Sequence, residues 1–420
     1  MVRYAIVGAG QRGAGYAEWI GAQPGAEVVA VAEPRAHQRE RLAREHGVTR
    51  VFSSWEELAA APKLADAAVV ATQDSEHVGP VVALARKGYH LLVEKPLAPT
   101  PEECTALVDA VTEAGVLFAV CHVLRYRPYT RLVKRLVDEG RLGEIVSVQH
   151  LEPVGHWHYA HSYVRGNWRR TDQASFMLLA KSGHDIDWLR HIVGRPVERV
   201  SSFGSLRHFT AEHAPPGAAD RCLDCAVEQT CPYSARRLYL GMVREGATGW
   251  PVSVLTDEVS EASVTAALRE GPYGRCVYRC DNDVVDHQVV AMEFAGGATA
   301  TFTMTAFTPH VDRRTQIFGT RGFLDGDGGQ VRLHDFVTER TEVLTVPSDG
   351  QDAEAGHGGG DAGLMAAFTT AVETGDASHI LSGPAESLES HLAVFAAERA
   401  RLSGTVERVH WPRGQNGPVT

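Results

Sequence analysis

The chain has 420 residues, of which 44% are hydrophobic and 22% are charged, as is typical of a globular protein with two domains. Its net charge of -11 argues against nucleic acids and anionic membranes as partners. No apolar run is long enough to span a membrane, and the N-terminal stretch lacks the order of a signal peptide, so a cytoplasmic protein is expected.

The first part of the chain, residues 1–122, alternates apolar runs with helix-like segments. Strands are predicted at residues 3–8, 26–34, 65–72, 89–96 and 116–123. Helices are predicted between them, at residues 11–23, 36–47, 75–88 and 100–115. Such alternation is typical of βαβ units whose parallel strands are buried on both faces, so we predict an α/β domain with a parallel sheet.

The pattern changes in the second part, residues 123–420. Helices are predicted at 129–139, 174–194, 363–375 and 383–402. Alternating strands are predicted at 144–153, 197–209, 286–295, 298–307, 313–326, 330–336 and 342–348, and a polar aromatic loop at 154–170. This pattern predicts an α+β domain with an antiparallel sheet and helices to one side.

A glycine-rich turn links the first predicted strand to the first predicted helix. In "AIVGAGQRGAGYAEWI", Gly8 permits a tight turn, Gly10 lets a pyrophosphate approach the backbone, and Gly13 lets the helix pack on the strand. The second strand ends at Glu33, whose carboxylate can accept both ribose hydroxyls and repels a 2′-phosphate, which favours NAD over NADP. Arg35 is the residue nearby that can instead accept that phosphate. The predicted cofactor contacts here are Gly8, Gly10, Gln11, Arg12, Gly13, Glu33 and Arg35.

Charged residues follow the third and fourth strands at the edge of the sheet where ligands bind. The fourth strand ends in Glu94-Lys95-Pro96, and proline forbids its extension. Lys95 can donate to a substrate hydroxyl and stabilise developing alkoxide charge, and Glu94 can pair with it or touch the cofactor. Thr72 and His77 follow the third strand and are predicted to contact the cofactor as well.

The order of these motifs, together with "GHDIDWLRHIVG" at 183–194, resembles the Gfo/Idh/MocA family of glucose–fructose oxidoreductase, inositol dehydrogenase and rhizopine catabolism proteins. The resemblance covers nearly the whole chain. It implies an N-terminal Rossmann domain and a C-terminal α/β domain with a large, mostly antiparallel open sheet. It also implies NAD(P)-dependent oxidation or reduction of sugars, cyclitols and related polyols, in dimers or tetramers that pair through the sheet.

The predicted helix 174–194 supplies the remaining catalytic candidates. His184 can take the hydroxyl proton as hydride moves to nicotinamide, since an imidazole titrates near working pH. Helical spacing places Lys181, Asp187 and Trp188 on the same face as His184. The family motif usually has an aspartate four residues before this histidine, where this chain has Ala180. Lys181 is a candidate to take over its charge handling.

Polar and aromatic residues near the same edge are candidates for substrate contact, because polyol sites combine polar groups with an aromatic platform. They are His122, Arg125, Tyr126, His158, Arg165, Asn167, Trp168, Asp187 and His357.

Cysteines cluster in an excursion predicted at about 205–275. "RCLDCAVEQTCPYSA" contains Cys222, Cys225 and Cys231. Cys276 and Cys280 follow about fifty residues later and are expected on the same side of a strand, and Cys280 is the predicted fourth ligand. Four thiols suit a tetrahedral structural zinc, an iron–sulfur cluster also takes four thiolates, and unliganded thiols are the third interpretation.

Three functions follow from these observations. The first is an NAD-dependent dehydrogenase or reductase acting on a sugar, cyclitol or glycoside. The second is a glycosidase that retains NAD and oxidises its substrate transiently. The third is a non-catalytic sugar or NAD sensor, which Ala180 favours and which intact Lys95 and His184 oppose.

Overall fold

In this computed structural model, residues 1–346 and 358–410 are described, and they form one six-stranded and one nine-stranded sheet. The fold class predicted from the sequence is confirmed, with a parallel sheet first and a mostly antiparallel open sheet second. Among these residues, no helix is long and apolar enough to cross a bilayer.

The first sheet is parallel throughout and contains β1 (Val2–Val7), β2 (Ala26–Ala32), β3 (Arg50–Phe52), β4 (Ala67–Val70), β5 (His90–Val93) and β6 (Phe118–Val120). Its helices are α1 (Gln11–Ala22), α2 (Ala36–His46), α3 (Trp55–Ala60), α4 (Val78–Arg86) and α5 (Pro101–Ala114). The strand order β3-β2-β1-β4-β5-β6 reverses direction between β1 and β4. Ligands of such sheets bind beyond the carboxyl ends of the strands at this switch point.

Local sequence accounts for most of these elements. The residues of β4 are fully buried, as expected for a strand covered by helices on both faces. Helix α5 begins where the Thr100 hydroxyl accepts a bond from the Glu103 amide, and it ends at Gly115 in the left-handed conformation. The sequence analysis did not predict β3 or α3. A strand of three residues, such as β3, is too short to show the alternation of apolar and polar residues that identifies a strand.

The second sheet contains β7 (Ile145–Pro153), β8 (Val197–Ser205), β9 (His287–Phe294), β10 (Thr299–Thr305), β11 (Arg314–Gly319), β12 (Gly322–Gly326), β13 (Gln330–Asp335), β14 (Arg340–Thr345) and β15 (Glu407–Arg408). Its order is β14-β13-β12-β11-β7-β10-β9-β8-β15, and β7 and β10 are parallel neighbours. The remaining helices are α6 (Pro128–Asp138), α7 (His156–Tyr159), α8 (Met177–Ala180), α9 (Gly183–Val193), α10 (Gly241–Arg244), α11 (Glu261–Glu270), α12 (Gly360–Thr374) and α13 (Pro384–Ser403). Helices α9 and α13 pack on one face of this sheet.

Two predictions in the second domain are wrong. The single helix expected at 174–194 is two helices, α8 and α9, because Ser182 adopts a non-helical conformation between them. The loop expected at 154–170 contains α7 and a π-helical turn at Ala160–Arg165, whose residues are all buried. Tertiary packing of the aromatic side chains, such as Tyr159 on Phe209 at 5.1 Å, explains this order.

A long insert, defined here as residues 206–286, connects the antiparallel neighbours β8 and β9. It contains α10, α11 and several short turns around a small apolar core of its own. Residues 276–280 form a turn, so the strand expected to align Cys276 with Cys280 is absent.

A buried ion pair fastens α9 to the end of the first sheet. Arg125, in the turn after β6, donates from Nε and Nη2 to the two carboxylate oxygens of Asp187 on α9, at 2.8 and 2.7 Å. Both side chains are 1% exposed. The Arg125 guanidinium also donates to the Leu381 carbonyl, ahead of α13. This pair therefore connects three separate parts of the chain.

We expect Asp187→Asn to lower the free energy of unfolding by about 3–5 kcal/mol, because it leaves a buried guanidinium without its counter-charge. Burial opposes ionisation of Asp187, but Arg125 outweighs burial and lowers the pKa of this carboxyl. Its contribution is therefore present above the unfolded pKa of about 3.9 and is lost as pH falls further. Urea denaturation at pH 7 and pH 3.5 measures both effects.

The matched control is Glu386→Gln, which removes the half-exposed second carboxylate beside Arg125. It is expected to change the same free energy by less than about 1 kcal/mol. Equal losses in the two variants at pH 7 would contradict the central role of the buried pair.

Candidate active site

The glycine turn after β1 has the sterics of a phosphate-binding loop. Gly8 has φ of +91°, and a Cβ there would lie 2.5 Å from the Ala71 carbonyl oxygen. A Cβ on Gly13 would lie 1.9 Å from the Gly8 carbonyl oxygen, so α1 packs against the turn only if Gly13 lacks a side chain. A Cβ on Gly10 would meet only an Arg35 nitrogen at 3.6 Å, which leaves room for a ligand against the backbone.

The start of α1 is free of side-chain caps, as expected of an anion-binding helix end. Within residues 1–346 and 358–410, no side chain accepts from its first amides, and Gln11 is exposed to solvent. Unsatisfied amides and the helix dipole favour phosphate there. The residues present therefore fit the pyrophosphate of a dinucleotide.

Glu33 is held rigidly at the carboxyl end of β2. Its carboxylate accepts from the Ala9 amide at 2.8 Å and from the Arg35 amide at 2.9 Å, and Arg35 Nε pairs with it at 2.8 Å. Burial opposes ionisation, but the bonds from Arg35 and Ala9 prevail and lower the pKa of Glu33. Arg35 is itself exposed, and its guanidinium is occupied by this carboxylate.

Two charged residues follow β5: Glu94, which is buried, and Lys95, which is partly exposed. Glu94 is 7% exposed and accepts from Arg12 at 2.5 Å and from Tyr16 at 2.8 Å. Arg12 also pairs with Asp361 of α12 at 2.5 Å. Glu94 and Arg12, both expected to contact the cofactor, thus bind each other and join the glycine turn to α12.

Lys95 crosses from the first sheet to the segment that carries His184. Its Nζ donates to the Ala180 carbonyl at 2.6 Å. Burial lowers the pKa of Lys95, and Glu94 partly offsets this effect. Asp74 and Lys181 also act on Lys95 electrostatically, so an acid and a second ammonium lie close to it. Thr72 is half-buried after β4, where its hydroxyl donates to the Glu76 carbonyl at 3.2 Å.

Lys181 follows α8 and belongs to a charged group that the sequence did not reveal. Its Nζ pairs with Glu152 of β7 at 3.2 Å, and Arg313 pairs with the other oxygen of Glu152 at 2.7 Å. Arg313 also binds Asp185, which contacts His150 at 3.2 Å. Glu152 lies near the end of β7, where exposed and buried residues alternate. This alternation places Glu152 on the buried face, and it was the sequence signal that could have identified this residue.

His184 lies in the first turn of α9 and is 5% exposed. Its ring meets the His122 ring edge-on, with centroids 6.0 Å apart. Burial lowers the pKa of His122 to about 3, so that ring is neutral at working pH. Trp188, expected on the same face, instead packs on His150 at 4.7 Å and donates to Thr130.

Aromatic residues of α7 and the insert line the opposite side of Lys181. The His158 ring lies 5.1 Å from Trp250 of the insert and 5.2 Å from His310. Burial and the nearby Lys181 ammonium hold the pKa of His158 well below its usual value. Trp157 stacks obliquely on Trp250 at 5.5 Å. Sequence reasoning missed Trp250, because a tryptophan far along the chain carries no local signal of this position.

Several side chains expected to contact a ligand are buried in this structure and bonded within the protein. His77 is fully buried and contacts the Pro96 carbonyl at 2.8 Å through Nδ1. Four expected substrate contacts are each 1% exposed: His122, Arg125, Tyr126 and Asp187. Arg165 is likewise 1% exposed, and it donates to the Tyr233 and Arg275 carbonyls beneath the insert.

The remaining candidates occupy different positions. Asn167 and Trp168 are exposed just beyond the π-helical turn. His357 lies outside the described residues. Asp361, which pairs with Arg12, is 1% exposed at the start of α12.

The structure groups Cys276, rather than the predicted Cys280, with the other three cysteines. Cys222, Cys225 and Cys231 line one cavity of about 20 Å³ together with Cys276, and Cys280 does not line it. Among the described residues, no three His, Cys, Asp or Glu side chains are grouped closely enough to hold a metal ion. The zinc predicted from the cysteine spacing is therefore not supported by the geometry of these side chains.

Comparisons with known proteins identify the family to which both domains of the chain belong. Residues 2–122 match a family model described as "Oxidoreductase family, NAD-binding Rossmann fold". Residues 134–385 match the model "Oxidoreductase family, C-terminal alpha/beta domain" of the same family.

Two relatives illustrate the sequence similarity. The chain is 30% identical to 2,7-anhydro-N-acetylneuraminate hydratase of Escherichia coli over 52% of this chain and 55% of that protein. It is 28% identical to scyllo-inositol 2-dehydrogenase (NAD(+)) of Bacillus subtilis over 49% of this chain and 58% of that protein. The chain thus spans little more than half the length of these two curated relatives.

A solved structure shows the same fold along the whole chain. An oxidoreductase from Agrobacterium radiobacter, in complex with NAD+, L-tartaric acid and magnesium, superposes with a TM-score of 0.72. The match covers 97% of this chain and 98% of that one at 15% identity, so it establishes the fold alone.

The glycine turn, the Glu94-Lys95-Pro96 strand end and the two matched domain models confirm the resemblance predicted from the motifs: this chain belongs to the Gfo/Idh/MocA oxidoreductase family, with an NAD-binding Rossmann domain followed by the C-terminal α/β domain of that family.

Proposed function

We propose that this protein is an NAD-dependent dehydrogenase or reductase that acts on a hydroxyl or keto carbon of a sugar, cyclitol or glycoside. The observation that carries the proposal is the reach of Lys95, whose ammonium leaves the NAD-binding sheet and meets the Ala180 carbonyl beside Lys181 and His184. The scyllo-inositol dehydrogenase among the relatives supports the same substrate class.

In this proposal, bound NAD supplies the carbon that accepts or returns hydride. Lys95 exchanges its bond to Ala180 for one to the substrate oxygen and stabilises the negative charge that develops there. Its lowered pKa reduces the cost of sharing a proton with that oxygen. His184 accepts the hydroxyl proton in the oxidative direction and returns it in the reductive direction.

Lys181 takes part of the role of the aspartate that the family usually places at position 180. Glu152 holds the Lys181 ammonium at 3.2 Å, which fixes a donor rather than an acceptor near the substrate. Trp250 and Trp157 supply apolar ring faces near His158, as carbohydrate sites commonly require. Trp168 and Asn167, exposed beyond this region, are further candidates for substrate contact.

The first experiment is a panel of sugars, anhydro sugars and cyclitols incubated with NAD and followed by NADH absorbance. Net NADH formation supports the dehydrogenase. The hydratase among the relatives favours a second candidate, in which NAD stays bound and substrate is converted with no net NADH. Product formation followed by chromatography without NADH would indicate that candidate, and tight sugar binding without conversion would indicate a sensor.

Lys95→Met and His184→Asn are each expected to lower kcat by about 100-fold or more, since each removes a group that transfers or shares a proton in the transition state. NADH affinity, measured by fluorescence, is expected to stay within about twofold of the wild-type value. Lys87→Met and His191→Asn change the same residue types elsewhere and serve as controls with unchanged kcat. Full turnover in either test variant would refute the assigned role.

The ordered Glu33 carboxylate supports NAD rather than NADP. We expect Glu33→Gln to reduce the preference for NAD over NADP by about tenfold or more, because the repulsion of a 2′-phosphate is removed and Arg35 is released. The ratio of kcat/KM for the two cofactors measures this change. Glu27→Gln, exposed near the start of the same strand, is the control. An unchanged ratio in Glu33→Gln would mean that Glu33 does not face the ribose.

We further propose a homodimer or homotetramer formed through the open face of the second sheet. Phe203 of β8 and Val289 of β9 pair in register on this face and are 68% and 40% exposed. An apolar pair of this kind is typical of a surface that is covered in an assembly.

Phe203→Asp is expected to shift the mass measured by light scattering from an oligomer to a single chain, because a carboxylate would be buried in the contact. Leu402→Asp alters another exposed apolar residue, on α13, and should leave the mass unchanged. A wild-type protein with the mass of one chain would overturn this proposal.

A further inference from the structure

The insert between β8 and β9 contains a cysteine-lined cavity that the proposed reaction does not use. Four cysteines from two distant stretches of the insert line it: Cys222, Cys225, Cys231 and Cys276. Cys222 and Cys276 are 7% and 8% exposed, and the other two are partly buried. The cavity volume of about 20 Å³ exceeds what a single water needs.

The backbone brings the two stretches together at this point. Arg221 and Arg275 form an antiparallel bridge, and the Cys276 amide donates to the Asp220 carbonyl at 2.8 Å. The bridge places Cys222 and Cys276 on the same face of the two paired segments, one on each side of the Arg221–Arg275 pair. Cys225 and Cys231 each end a short helical turn, so the spacing of "CLDCAVEQTC" returns both to the same place.

A buried cation faces this cavity. Arg165 lines it, is 1% exposed and donates from Nη2 to the Cys222 sulfur at 3.5 Å. Its other bonds go to the Tyr233 and Arg275 carbonyls, and Nη1 has no hydrogen-bond partner in the part of the chain that the structure describes. Among the described residues, no carboxylate forms an ion pair with Arg165. A buried guanidinium needs a compensating anion, and thiolates in the cavity would supply it.

We infer that Cys222, Cys225, Cys231 and Cys276 form a four-thiolate metal centre that fastens the insert, with Arg165 balancing its charge. Four thiolates around a divalent ion leave net negative charge, which matches the uncompensated guanidinium. Cys280, the ligand suggested by sequence alone, points elsewhere, since its thiol donates to the Cys276 carbonyl at 3.3 Å.

Binding requires the thiols to turn inward from the cavity wall, because no three of them are grouped closely enough for one ion in this structure. Rotation about the Cα–Cβ bond between staggered wells moves each sulfur without moving the backbone. A structural centre also fits the thin core of the insert, where eight buried residues form its apolar cluster. Metal ligation supplies stability where apolar burial is small.

The test begins with protein purified without added metal and without chelator under anaerobic conditions. Elemental analysis is expected to give about one equivalent of zinc, which supports the centre. Iron with acid-labile sulfide would instead indicate an iron–sulfur cluster and would refute a single divalent ion at this site. Less than about 0.2 equivalents of both metals, unchanged after incubation with Zn²⁺ or with iron and sulfide, would overturn it.

The ligand set is tested by a matched pair of variants. Cys276→Ser should lower the bound metal at least about tenfold, whereas Cys280→Ser should retain the wild-type amount. NADH binding by the Rossmann domain reports whether each variant is folded. The opposite pattern, with metal lost from Cys280→Ser and kept by Cys276→Ser, would refute the assignment.

Should Cys276→Ser fail to fold, X-ray absorption at the metal edge of the wild-type protein decides the question. Only sulfur ligands, at about 2.3 Å for zinc, are expected around the metal. Nitrogen or oxygen in the coordination shell would exclude the four-cysteine centre.

Discussion

The bidentate ion pair between Arg125 and Asp187 governs where the candidate catalytic residues can lie. Arg125 follows the last strand of the NAD-binding sheet, and Asp187 lies one turn after His184 on α9. Because both groups are buried, the pair tolerates little displacement. The helix that carries His184 is therefore fixed against the sheet that carries Lys95, and the hydride transfer proposed above requires that spacing.

Charged residues of both signs lie close together around Lys181. Lys95 and Lys181 lie close enough to oppose each other electrostatically, while Glu152 and Arg313 hold Lys181 from the other side. Arg313 and His150 outweigh the effect of burial on Asp185 and lower the pKa of this carboxyl to about 2. Asp185 therefore stays ionised across the ordinary pH range.

The candidate residues that the sequence suggested on firm physical grounds are those set by local constraints. The glycine turn, Glu33 at a strand end and Lys95 before a proline follow from steric rules that span a few residues. Sequence reasoning could not identify features that depend on packing between distant parts of the chain. Nothing local distinguishes Arg125, which is sealed against α9, from a residue open to a ligand. The spacing of the cysteines likewise gave three members of one cavity, but only the bridge between Arg221 and Arg275 selects Cys276 as the fourth.

The insert begins after the last residue of β8 and ends before the first residue of β9, and these two residues are paired in the second sheet. Ser205 and His287 are direct partners in the β8–β9 register, and the Asp286 amide donates to the Ser205 carbonyl at 3.1 Å. Residues 206–286 thus connect two sheet positions that a tight hairpin could equally join. Because β8 and β9 keep their register on either side of the insert, the length of the insert is not constrained by strand pairing, and the aromatic contact that Trp250 makes with His158 is an addition to the sheet rather than a part of it.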